Sequence, residues 1–110
     1  MKKVLITGAA GGLAKVVAEM LKGRCELYGV DPRPLGPEGA FPGQFFQVDF
    51  RQRKMADLFR IHRFDAVIHL GRLPIAARLR KMQRFNVNVL GTRSLLDLAL
   101  KYDVKSVVVL

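Results

Sequence analysis

A chain of 110 residues, half hydrophobic and a quarter charged, with one Cys and no Trp, has room for one domain with a modest core. None of its short apolar runs approaches the roughly 20 residues of a bilayer-crossing helix, and the amino terminus lacks the layout of a signal peptide, so the cytoplasm is the expected compartment. Cys25 has no second cysteine to pair with, and with His62 and His69 as the two histidines no zinc spacing arises, which excludes disulfide and metal frameworks. The formal net charge of +10 is unevenly spread: residues 51–84 hold ten Lys/Arg against Asp57 and Asp65, whereas residues 1–50 and 85–110 each carry +1.

Residues 2–7 (KKVLIT) read as a strand that runs straight into the glycine-rich stretch Gly8-Ala9-Ala10-Gly11-Gly12. Leu13, Val16, Val17, Met20 and Leu21 then recur at helical spacing, which predicts one buried face on a helix that stops at Gly23. A second strand is expected over residues 26–30, ending at Asp31. The following DPRPLGPEGAFPG, with four Pro and three Gly in thirteen residues, admits no helix. Residues 45–49 (FFQVD) predict a short third strand. Met55, Leu58, Phe59 and His62 mark the inner face of a second helix, and residues 65–70 (DAVIHL) a fourth strand. A long helix is expected over residues 80–102, with Phe85, Val89, Thr92, Leu96 and Ala99 on one stripe, and a fifth strand over 104–110.

Apolar strands alternating with amphipathic helices indicate a parallel sheet covered by helices, an α/β doubly wound fold with strand order 3-2-1-4-5. Right-handed crossovers would put the first helix on one face and the two later helices on the other. The first face is then short of cover over strands four and five. Each apolar side chain left exposed there forfeits roughly 1.5–3 kcal/mol, and three or four would rival the ~5–15 kcal/mol stability of a domain. The expectation is that a carboxyl-terminal part, beyond the fifth strand, is missing from these residues.

The small residues Gly8, Gly11 and Ala14 fall at a strand-to-helix junction. There Gly8 permits a tight turn, Gly11 lets backbone N–H groups approach a pyrophosphate, and Ala14 keeps helix and strand close, with the anion at the positive end of the helix dipole. Gly12 and Leu13 open the helix and belong to the same loop. Asp31, 23 residues beyond Gly8 at the end of the next strand, stands where a carboxylate accepts hydrogen bonds from both adenosine ribose hydroxyls and repels a 2′-phosphate. NAD is therefore expected over NADP, with Arg33 and Lys15 as cations that could embrace a 2′-phosphate were the carboxylate to turn away.

VLITGAAGGLA, YGVDP, QVDF, DAVIHLG and NVLGTRSLLDLALKYDVKSVVVL together make the chain resemble the extended short-chain dehydrogenase/reductase family, which includes NAD-dependent epimerases and dehydratases, over nearly its whole length. The resemblance implies a Rossmann-like fold, Asp49 and Phe50 flanking the adenine, Leu70 and Gly71 beside a cofactor ribose, and Asn88 as a supporting residue of the active-site helix. Each has a plainer reading: Asp49 as the cap of the next helix, Gly71 as merely small, Asn88 as a hydrogen-bonded core residue. His69 reads as a satisfied core histidine. Arg72 departs from the small residue the family often has after Gly71. The family's catalytic Ser and Tyr-x-x-x-Lys are absent, since Pro32 and Ser106 stand four residues after Tyr28 and Tyr102, so no catalytic residue is assigned and these 110 residues alone are expected to be inactive.

The resemblance implies the cofactor-binding portion of an NAD-dependent epimerase, dehydratase or reductase acting on a sugar nucleotide or similar polar substrate. Charges opposite the apolar face of the second helix read as a solvated surface, while Arg72, Arg78, Arg80, Lys81 and Arg84 could receive a phosphorylated substrate. The alternatives are a non-catalytic dinucleotide-sensing protein of the same fold and a basic nucleic-acid-binding module. The last lacks the exposed aromatics or groove-reading helix it would need. No membrane partner is expected, and self-association is left open.

Overall fold

The computed structural model of the chain describes residues 1–36, 40–49, 52–71 and 91–110. Its elements run β1 (Lys3–Thr7), α1 (Gly12–Leu21), β2 (Glu26–Asp31), β3 (Gln44–Gln47), α2 (Lys54–His62), β4 (Ala66–His69), α3 (Gly91–Lys101) and β5 (Ser106–Val109). The five strands form one sheet in the order β3-β2-β1-β4-β5, and every pair is parallel. This is the doubly wound order expected from the sequence.

Alternation along the central strands divides the core between the two faces. Leu5, Tyr28, Val30 and Val67 join Met55, Leu58 and Phe59 of α2 and Leu95 and Ala99 of α3 on one side. Val4, Ile6 and Leu27 pack with Ala14 and Ala18 of α1 on the other. Cys25 packs at the edge of this second cluster, as a small apolar residue would. The first core is the richer in aromatics: Phe59 meets Phe64 edge-on at 5.2 Å, and the ring of His62 lies 4.7 Å from that of Tyr28.

α2 buries Met55, Leu58 and Phe59 as its periodicity predicts, but α1 and α3 turn differently. On α1 the buried residues are Ala14 and Ala18, with Val17 and Leu21 at the margin, while Leu13, Val16 and Met20 are 55%, 56% and 69% exposed. Two alanines spaced one turn apart let the helix backbone lie close on the sheet, a fit that larger side chains on that face would hold off. On α3, Leu95 is fully buried and Leu96 is exposed, one position from the expected stripe. The part of that helix expected over residues 80–90 lies outside the described residues. Where α1 covers the sheet less, Ile68 is only half-buried and Val108, its register partner in β5, is exposed.

Helix ends are set by the backbone. Gly23 takes φ +80 after α1, and Arg63 closes α2 in the left-handed conformation with its N–H donating to Phe59 O at 3.1 Å. Asp103, also at positive φ, follows α3, and Val104 N–H returns to Ala99 O at 2.9 Å. No helix among the described residues is long and apolar enough to cross a membrane.

Candidate functional site

The carboxyl ends of β1, β2 and β4 converge on the glycine loop. Gly8 has φ +69, and a Cβ there would stand 2.9 Å from the backbone of Leu70 and Gly71, so only glycine lets the chain leave β1 against the end of β4. Ala9 N–H donates to Val30 O at 3.1 Å, and Gly11 N–H to Gly8 O at 3.0 Å, folding the loop back over β2 before α1 begins. Gly11 is the extended N-cap of α1, no side chain caps the helix, and its first turn holds no acidic residue. Among the described residues, the leading N–H groups of α1, with their partial positive charge, therefore meet no capping carboxylate. Gly12 has no atom within 4 Å of where its Cβ would be, and Leu13 is exposed beside it.

Asp31 closes β2 with 2% of its surface exposed. Its Oδ2 accepts from Ala10 N–H at 3.0 Å, which ties the carboxylate to the glycine loop. The remaining bonds come from Arg33: its backbone N–H at 2.8 Å and Nε at 3.0 Å donate to Oδ1, and Nη2 at 3.0 Å donates to Oδ2. Burial alone pushes the carboxyl pKa up, but the Arg33 guanidinium and the two backbone donors outweigh it and hold Asp31 below the ordinary carboxylate value. The sequence places Asp31 correctly at the strand end but not its state. The carboxylate has not turned away from Arg33; it is clasped by it.

A second network fastens β1 to β4. The Thr7 hydroxyl oxygen accepts from Leu70 N–H and Gly71 N–H, both at 3.0 Å, and lies 2.6 Å from His69 Nδ1. With both lone pairs taken, its one proton goes to Nδ1, which leaves His69 protonated on Nε2 and donating to the Thr92 hydroxyl at 2.9 Å. His69 is thus the satisfied core histidine expected. Thr7 is the residue sequence reasoning overlooked; a hydroxyl ending an otherwise apolar strand was its one signal.

Asp49 follows β3 on the same edge of the sheet as Asp31, and Val48 N–H donates to Asp31 O at 3.0 Å. Asp49 does not cap α2: its N–H donates to Gln52 Oε1 at 3.2 Å within a turn, and the helix begins at Lys54 with Arg53 at the N-cap. Phe50, Asn88, Arg51, Arg72, Arg78, Arg80, Lys81 and Arg84 lie outside the described residues. Of the basic residues on or next to α2, Arg60 pairs with Asp57 at 3.6 Å, both well exposed, as a solvated face does. Beside the glycine loop, a cavity of about 360 Å³ opens between α1 and the β2–β3 link, lined among others by Gly11, Lys15, Glu19, Gly36 and Phe41. Phe41 reaches the sheet because Gly29 has no side chain: a Cβ there would stand 2.8 Å from its ring.

A model of the NAD dependent epimerase/dehydratase family matches residues 4–110. The chain belongs to that family. It is 30% identical over 111 residues to a uronate dehydrogenase of Pseudomonas putida, covering 96% of this chain and 39% of that protein. Among solved structures it is similar to a UDP-glucose 4-epimerase of Thermotoga maritima determined with UDP-glucose, with 25% identity, a TM-score of 0.86, and coverage of 97% of this chain and 37% of that one. It is also similar to a uronate dehydrogenase of Agrobacterium tumefaciens complexed with NAD, with 27% identity, a TM-score of 0.78, and coverage of 99% and 40%. The chain spans 33% to 39% of the length of the curated relatives it matches. The resemblance read from the five sequence stretches, and the Rossmann-like architecture with it, are those of this epimerase/dehydratase family member.

Proposed function

We propose that this chain is the dinucleotide-binding portion of an NAD-dependent epimerase, dehydratase or dehydrogenase acting on a sugar nucleotide or a similar polar substrate. The observation that carries the reading is the loop Gly8–Gly12. It is fastened to Asp31 at the end of β2 and pressed against Leu70 and Gly71 at the end of β4, where the strand order of the sheet reverses and such folds take up nucleotides. In this reading Gly8, Gly11, Gly12 and Leu13 receive the pyrophosphate on backbone N–H groups. Asp31 takes the adenosine ribose, Asp49 and Phe50 flank the adenine, and Leu70 and Gly71 admit the second ribose. Asn88 supports the substrate side.

The residues fit such a cofactor. The helix start is uncapped by side chains, the loop is too crowded at Gly8 for any Cβ, and a buried carboxylate closes β2 beside the loop, which supports its role toward a ribose. When bound, the nicotinamide accepts and returns a hydride. NAD is the proposed form because a carboxylate closes β2, where a ribose diol would exchange for the Arg33 guanidinium that Asp31 now holds. These 110 residues hold the dinucleotide without turning substrate over, since they carry no Tyr-x-x-x-Lys.

Gly12→Asp tests the reading. A Cβ at this position would meet nothing within 4 Å, and a carboxylate in the first turn favours the helix, so folding is kept. The same charge opposes a diphosphate, and NAD affinity measured by calorimetry should fall at least about tenfold. Unchanged affinity would remove the pyrophosphate from this loop.

A further inference from the structure

We infer that the cavity between α1 and the β2–β3 link is a second ligand site, apart from the dinucleotide crevice, which takes a small zwitterion with an aromatic side chain, the chemistry of an aromatic α-amino acid. This goes beyond the dinucleotide reading and stands without it. The cavity runs along the flank of α1 from the glycine loop past Lys15 to Glu19, and none of Asp31, Asp49, Leu70 and Gly71 lines it.

The space follows from how β2 is joined to β3. A crossover helix would be about 10–12 Å across, whereas the described residues of this link form no helix and leave room beside α1. Gly29 shapes the floor: with no side chain there, the Phe41 ring lies against the strand, where a Cβ would stand 2.8 Å from Cζ. Phe45 meets that ring at 6.4 Å between centroids. Ala18, Leu35 and Pro42 continue walls that are mostly apolar. At about 360 Å³ the cavity is at the small end of the roughly 300–1,000 Å³ usual for ligand pockets, which suits one ring and its substituents.

The charged side chains of the lining are one cation and one anion. Lys15 and Glu19 stand one turn apart on α1, about 6 Å along its axis. No ion pair or hydrogen bond joins either side chain to the other or to any other described residue. A purely apolar guest would cost both charges some of their water and return nothing, and a singly charged guest would satisfy one and be opposed by the other. A carboxylate and an ammonium on one small molecule meet both. The carboxylate goes to the Lys15 side, nearer the positive start of the helix, and the ammonium toward Glu19. The ring then fills the apolar space against Phe41.

Titration of L-phenylalanine into the isotope-labelled chain, followed by NMR, tests this, with hydrocinnamate, phenethylamine and alanine as probes that lack the ammonium, the carboxylate and the ring. Amide shifts should move saturably at residues 9–19 and 40–42 with a dissociation constant of about 1 mM or tighter, and each fragment should bind at least about tenfold more weakly. Lys15→Met and Glu19→Gln, both at exposed positions, should each weaken phenylalanine at least about fivefold. Saturating NAD should leave phenylalanine bound. Absence of saturable shifts, or any fragment binding as tightly as phenylalanine, overturns the inference. So does displacement by NAD with shifts at Asp31, Leu70 and Gly71, which leaves the dinucleotide reading standing. Phenylalanine binding as described in a chain that does not bind NAD overturns that reading alone. If a variant does not fold, the fragment series on the wild-type chain decides, loss of affinity in all three supporting the inference and parity in any one overturning it.

Discussion

The hydroxyl of Thr7 and the ring of His69, 62 residues apart in sequence, meet at 2.6 Å and bind the ends of β1 and β4 into one unit. Thr7→Val keeps the shape and removes the hydroxyl, leaving Leu70 N–H, Gly71 N–H and Nδ1 of His69 without this partner in a buried place. Stranding buried polar groups costs about 1–3 kcal/mol each, so the variant should lose on the order of 2–5 kcal/mol in urea unfolding, with some relief by relaxation. Thr7→Ser, which keeps the oxygen, should lose less than about 1.5 kcal/mol. Equal losses in the two would mean that the hydroxyl is not what joins the strands.

Gly8 and Gly12, four residues apart in the same loop, should respond oppositely to alanine. At Gly8 the positive φ and the backbone of Leu70 and Gly71 at 2.9 Å combine, and neither can give way cheaply. Gly8→Ala should destabilise by at least about 2 kcal/mol in chemical denaturation. Gly12 opens α1 with nothing near its missing Cβ, so Gly12→Ala should be neutral or stabilise by up to about 1 kcal/mol. A stable Gly8→Ala would show that β1 and β4 can part at the loop without loss.

The strand order and the glycine loop were legible because both are written in short-range patterns: apolar runs of strand length, breakers between them, and glycines at a strand-to-helix junction. What stayed hidden depends on neighbours far away in sequence. Periodicity put Leu13, Val16 and Met20 of α1 on the buried face, whereas the sheet selects the alanines that fit closest, and an apolar count alone favours the larger residues. The position of Asp31 follows from its place after β2, but its partners depend on the turn that brings Arg33 back onto it. Thr7 gained its role from Leu70 and Gly71, which no local pattern connects to it.

Gly43 is exposed, yet its substitution should be costly. A Cβ there would collide with the carbonyl oxygen of Leu27, on the neighbouring strand, with the carbonyl carbon at 2.8 Å. Because the obstruction is backbone, Gly43→Ala can be accommodated only by moving the entry of β3 away from β2. Amide hydrogen exchange should quicken over residues 44–47, and unfolding free energy should fall by about 1–3 kcal/mol. An exposed Gly→Ala change in an ordinary loop would shift stability by far less, so a silent substitution here would place β3 wrongly.

His69 should titrate below the ordinary histidine value of 6.5, because burial disfavours its charged form. In the folded protein Nδ1 accepts the Thr7 proton; protonating Nδ1 would set two donors against each other and break the link to β4. The unfolded chain therefore binds a proton at higher pH than the folded one. The stabilising contribution is complete above about pH 6.5 and is lost as pH falls toward the lowered folded value. Proton NMR of the His69 ring should give a midpoint under 6.5, with nitrogen shifts of the Nε2–H tautomer at neutral pH, and urea midpoints should decline below that pH. A midpoint at or above 6.5, or an Nδ1–H tautomer, would reverse the direction assigned to the Thr7 hydrogen bond and with it the account of how β1 holds the end of β4.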